Sequence, residues 1–139
     1  MALGSENKTA TLYLGAKSGW HSLLPRKSDQ GSIQVPERTL DSVLAENGVT
    51  SVDLIKIDVE GAETEVLKGM RDTLTANPNV LILLEIHPQF GVDPAAVQAL
   101  LTDLGCSAYS LAAPHVAYDS LASNLKHVLV ARSGMQPRR

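Results

Sequence analysis

At 139 residues the chain has the length of one domain, and its 44% hydrophobic and 19% charged content matches a globular protein with a real core. A formal net charge of −3, from 12 basic and 15 acidic residues, gives no electrostatic case for nucleic acid or an anionic membrane as partner. The single cysteine, Cys106, excludes an intrachain disulfide and any cysteine-built metal site; it fits a reducing compartment and reads as a small buried apolar residue.

The start, Met1 to Glu6, has neither the basic nor the apolar region of a signal peptide. The longest apolar run, Val80 to Leu84, is too short to cross a bilayer, and the expected location is cytoplasmic. Thr9 to Leu14 alternates weakly, as a half-exposed strand does. Gly15 to Gly19 reads as a turn, Trp20 to Leu24 as the returning strand of a hairpin, and Ile33 to Val35 as a short strand stopped by Pro36. From Thr39 the period changes. Thr39 caps a helix with apolar Leu40, Val43 and Leu44, closed by Gly48.

Val52 to Ile57 is a mostly apolar strand, followed by a helix from about Gly61 to Leu74 with Ala62, Val66, Leu67, Met70 and Leu74 on one face. Val80 to Ile86 is a second buried strand, stopped by Pro88. Asp93-Pro94 starts a helix that Gly105 closes. Ser107 to Leu111 and Lys126 to Ala131 are the last strands, antiparallel to each other, and Ser133 to Arg139 is a frayed tail. Strands alternating with amphipathic helices predict an α/β fold with a mostly parallel sheet and an antiparallel last strand.

In such sheets, ligands bind outside the carboxyl ends of the strands. The two central strands would bring Asp58 and Glu60 beside Glu85 and His87 on one edge, a set suited to acid–base catalysis or to a divalent cation. Lys56 is a possible ion-pair partner for Glu85. Glu60, Glu63 and Glu65 also lie in or near a first helical turn, where negative charge is favourable in any case. Trp20 and His21 could shape a pocket, although packing for the tryptophan and exposure for the histidine are the plainer reading. The sequence holds no G-x-S-x-G, H-E-x-x-H, phosphate-loop or G-x-G-x-x-G motif.

Thr39-Leu40-Asp41-Ser42, then Lys56-Ile57-Asp58-Val59-Glu60-Gly61-Ala62-Glu63, then Leu67-Lys68-Gly69, in that order, followed by Leu84 to Pro88, resemble the FkbM family of S-adenosylmethionine-dependent methyltransferases. The resemblance covers residues 1–131 and leaves 132–139 as a flexible tail. It implies a Rossmann-like class I methyltransferase sheet, partial here, and O-methylation of a hydroxyl on a sugar or natural product. It implies catalytic roles for Asp58, His87 and Glu60, with Asp58 or His87 as the base, and a substrate-side setting for Glu85, Trp20, His21 and Lys56. A metal on Asp58, Glu85 and His87 is a weaker implication.

The family's glycine-rich cofactor loop has no counterpart in this sequence, so no cofactor-binding residue is assigned. Without that half, the Val52 to Ile57 strand becomes an apolar sheet edge, which invites pairing with another chain or cover from a rearranged amino-terminal hairpin. The expected partners are a small-molecule hydroxyl acceptor and a second copy of the chain. The alternatives are a non-catalytic, self-associating α/β remnant and a metal-dependent hydrolase.

Overall fold

β-Branched and apolar runs set the strands, and the computed structural model arranges them in two sheets; it describes residues 1–16, 21–25, 27, 29–113, 115–122 and 126–135. The smaller sheet has the order β1 (Ala2–Leu3), β3 (Ser32–Arg38), β2 (Lys8–Tyr13). β3 runs parallel to β1 and antiparallel to β2. The larger sheet has the order β4 (Leu54–Ile57), β5 (Leu81–Glu85), β7 (His127–Arg132), β6 (Cys106–Tyr109). β4 and β5 pair in parallel, with Ile57 opposite Leu84. β7 enters between β5 and β6 and pairs antiparallel with both. The architecture is therefore mixed α/β, and the β4–β5 pair is the only parallel pairing in the larger sheet among the described residues.

The amino-terminal strands differ from expectation. The whole of β2 pairs with β3, and the 20–24 segment contributes only an isolated bridge, from Ser22 to Tyr13. Trp20 lies outside the described residues. Pro36 does not stop β3, which continues to Arg38. β1 meets β3 only at Glu37 and Arg38, so on that side Pro36 has no ladder bond to lose.

The single helix expected over 61–74 is two, α2 (Glu63–Lys68) and α3 (Arg71–Ala76). The break is at Gly69, where a Cβ would lie 2.1 Å from the Gly4 carbonyl oxygen. The carbonyl of Gly69 turns out of the helix and accepts the Asp41 N–H at 3.1 Å. Asp41, in α1 (Leu40–Glu46), then caps α3 from outside: its carboxylate accepts the N–H of Asp72 at 3.1 Å and of Thr73 at 2.8 Å. Thr39 caps α1 as read from the sequence, accepting the Ser42 N–H at 3.1 Å.

The core lies on the larger sheet. Ile57, Leu67, Met70, Ile82, Leu84, Ile86, Leu101, Val128 and Val130 are all at most 1% exposed. α4 (Pro94–Asp103), capped by Asp93 with Pro94 at its first position, packs on α2 and β6. Cys106 is buried, and burial pushes its thiol pKa up. Among the described residues, β4 has no partner on its outer edge, Leu54 there is 63% exposed, and the amino-terminal strands do not cover it. Among the described residues no helix is long and apolar enough to cross a membrane.

Candidate active site

The site grows from the turn that leaves β4. Glu60 has φ +56 and Gly61 has φ +114, two successive positive values that reverse the chain after Ile57-Asp58-Val59. A side chain at φ +56 costs about 1–2 kcal/mol, a strain that observed backbone outliers often carry at functional positions. Ser22, buried under this turn, fastens it: its hydroxyl donates to the Glu60 carbonyl at 3.3 Å and accepts the Leu24 N–H at 3.1 Å.

The reversal delivers Glu63 to the first position of α2, on the face shared with Val66, Leu67 and Met70, where it is 0% exposed. A carboxylate so buried needs partners. Its Oε1 accepts the Gly61 N–H at 3.1 Å and stands 2.5 Å from His87 Nδ1. Its Oε2 is buried without a hydrogen-bond partner.

His87 comes from the carboxyl end of β5 and is itself buried, at 4% exposure. The 3-10 turn Pro88–Phe90 folds Phe90 back so that its ring stacks on the imidazole, with centroids 5.7 Å apart. With Nδ1 held by Glu63, Nε2 faces the strand ends. It lies 3.5 Å from Glu85 Oε1 and 3.8 Å from Asp58 Oδ1, both too long for a good hydrogen bond. Lys56 pairs with Asp58, not Glu85, at 2.6 Å, and that hydrogen bond raises the lysine pKa. Glu85 pairs instead with His127, 3.2 Å away.

Of the expected residues, Asp58, Glu60, Glu85, His87 and Lys56 therefore converge on one edge. His21 is exposed, and among the described residues no hydrogen bond or ion pair ties it to them. The expected metal set changes: Asp58, Glu60 and His87, with Glu60 in place of Glu85, bring their ligand atoms within 4.8 Å of one another. Two carboxylates and an imidazole suit a first-row divalent cation.

Beside this edge, a cleft of about 480 Å³ runs between α2 and the smaller sheet; Gly61, Glu65, Lys8, Glu37, Leu24 and Val92 are among its walls. The hydrogen bond from Lys68, and next that from Ser5, hold the Glu65 carboxyl below its usual range.

Glu63, Ser22 and Phe90 are the contributors that sequence reading missed. A signal existed for Glu63: it precedes Val66, Leu67 and Met70 by three, four and seven residues, which places it on the buried stripe. Nothing local marks the bond from Ser22 to the distant Glu60 carbonyl, whereas Phe90 follows His87 by only three residues, across the turn that Pro88 starts.

The family model described as the methyltransferase FkbM domain matches residues 1–107. Over 88 residues the chain is 36% identical to the hexuronic acid methyltransferase AglP of Haloferax volcanii, covering 63% of this chain and 34% of that protein. Over 45 residues it is 49% identical to the 2-O-methyltransferase NoeI of Sinorhizobium fredii, covering 32% of this chain and 18% of that protein. It is also 39% identical over 67 residues to the AMB antimetabolite synthetase AmbE of Pseudomonas aeruginosa, 48% of this chain and 3% of that one. The matches thus span about a third or less of these relatives. No solved structure matches the chain significantly.

Proposed function

Because the chain belongs to the FkbM methyltransferase family, we propose that it takes part in methyl transfer from S-adenosylmethionine to a hydroxyl of a sugar or natural product. The observation that carries this reading is the His87 ring, anchored at Nδ1 by buried Glu63, with Nε2 facing Asp58 and Glu85 on the carboxyl edge of two parallel strands. On this reading the larger sheet is the second half of a Rossmann-like class I methyltransferase sheet.

S-adenosylmethionine supplies an electrophilic methyl group on a sulfonium. The residues described here do not form a cradle for it: among them no glycine-rich turn follows a parallel strand, and β4 is open on its outer edge. A single copy of the chain therefore contributes the acceptor side. His87 Nε2 takes the proton of the acceptor hydroxyl, and the imidazolium that forms is paired with Glu63 and faces Asp58 and Glu85. Lys56 holds Asp58 in place. A second copy of the chain, paired along the open β4 edge, completes the assembly; the exposed Leu54 supports such pairing.

The test is mass-spectrometric detection of methyl incorporation into neutral sugars, uronates and polyols, with wild type compared against His87→Asn. Loss of a general base lowers the rate on the order of 10²–10⁴-fold. Undiminished methylation by His87→Asn refutes the assignment.

A second reading, a metal-dependent hydrolase, is favoured only by the ligand spacing of Asp58, Glu60 and His87. Titration calorimetry with Mn²⁺ and Zn²⁺ decides it: no binding at millimolar cation removes that reading.

A further inference from the structure

We infer that Glu63 is a positioning residue that sets the tautomer of His87, so that Nε2 is the nitrogen that accepts a proton. The inference rests on the proposed methyl transfer for its consequence, though not for its geometry.

A neutral imidazole carries one N–H, and an ionised carboxylate can only accept. Glu63 Oε1 lies 2.5 Å from Nδ1, a contact closer than an ordinary N–H···O hydrogen bond, so the two atoms share a proton between them. The same oxygen is aimed by the backbone, because it also accepts the Gly61 N–H at 3.1 Å. The proton therefore sits on Nδ1, and the Nε2 lone pair points at the strand ends. Water competes poorly for this contact, since the side chains of Glu63 and His87 are 0% and 5% exposed.

The ring cannot turn over freely. Phe90 stacks on one face, and the groups that face Nε2, Asp58 Oδ1 and Glu85 Oε1, are both acceptors. When Nε2 takes the proton of an acceptor hydroxyl, the O–H bond breaks, an N–H bond forms, and both ring nitrogens are protonated. The positive charge is then held against the buried Glu63 carboxylate, a stabilisation that grows as the proton moves and so lowers the barrier rather than tightening binding. This is a carboxylate–histidine pair of the kind that orients general bases on unrelated folds.

The experiment is ¹⁵N NMR of the whole chain with labelled histidine, at neutral pH, for wild type, Glu63→Met and Glu63→Asp. The expected wild-type spectrum has Nδ1 protonated and Nε2 bare. In Glu63→Met Nδ1 loses its acceptor, and the proton moves to Nε2, which faces the acceptors Asp58 Oδ1 and Glu85 Oε1; Glu63→Asp keeps the wild-type tautomer. A wild-type ring protonated at Nε2 alone overturns the inference without any variant having to fold. An unchanged tautomer in a folded Glu63→Met overturns it as well.

Where methylation is measurable, Glu63→Met lowers kcat on the order of 10²-fold or more with KM little changed. Methylation that survives in His87→Asn defeats the catalytic reading and leaves the tautomer result standing, so the two failures are distinguishable.

Discussion

Gly61→Ala is the most telling single perturbation of the site. Gly61 has φ +114, which a side chain adopts only under strain, and a Cβ there would stand 3.3 Å from Phe90 Cβ and 3.4 Å from Leu24 Cδ1. The strain alone costs about 1–2 kcal/mol. Relief requires the backbone to rotate, which removes the Gly61 N–H from the buried Glu63 carboxylate, worth about 1.5–3 kcal/mol for a charged acceptor. The expected loss is about 2.5–5 kcal/mol, or roughly 10–20 °C in Tm at about 4 °C per kcal/mol for a chain of this size.

Gly48→Ala is the control: Gly48 has φ +66 with nothing within 4 Å, so it carries the strain without the contacts. Its expected cost is about 1–2 kcal/mol. Urea unfolding of both variants, at unchanged m-value, gives the difference directly. Equal losses in the two variants would refute the argument that the turn after β4 holds Glu63 in place.

Other consequences are independent of that turn. Leu84 is 0% exposed in the central strand, so Leu84→Ala costs about 2–5 kcal/mol by equilibrium unfolding, and a loss below about 1 kcal/mol would contradict the assigned core. The folded pKa of Glu65 is depressed, first by Lys68 and then by Ser5, so its stabilisation is present above the ordinary value of 4.5 and is lost as pH falls through the lower folded value. Lys68→Ala flattens the acid limb of a Tm-against-pH curve while leaving it small, since Glu65 and Lys68 are both largely solvated. An acid limb as steep as the wild type's would remove that pair from the account.

The strands and caps of the larger sheet are legible in the sequence because local rules decide them. Val80 to Leu84 is apolar throughout and the segment around it lies between Pro78 and Pro88, Asp93-Pro94 is a helix start by its own chemistry, and Thr39 caps α1 through a neighbour three residues away. The failures come from distant contacts. Nothing in residues 61–74 announces that Gly4 crosses at Gly69, so the helix reads as continuous. Pro36 is a reliable strand breaker only where the strand needs its N–H, and β1 is too short to need it.

The candidate site divides in the same way. Asp58, Glu60, Glu85 and His87 are visible as polar residues at the ends of apolar strands, whereas Glu63 is hidden by a helix-start pattern that explains its charge equally well. Its burial follows from register: it stands on the stripe of Val66, Leu67 and Met70, and a strict reading of that stripe finds a carboxylate facing the core.

The signature blocks also separate by role. Asp41 and Gly69, from the first and last of the three ordered blocks, serve the scaffold, one capping α3 and the other admitting the Gly4 backbone. The middle block carries the strand end, the reversed turn and Glu63, which together meet His87.

The most direct test of the account is titration calorimetry of the chain with S-adenosylmethionine, with S-adenosylhomocysteine as competitor and light scattering on the same samples. The account predicts that the chain is oligomeric and that the oligomer binds the donor in the micromolar range. An oligomer, or a persistent monomer, that binds nothing at millimolar donor would contradict it. So would a monomer that binds at micromolar concentration, because the donor site would then form without the second copy that the account requires.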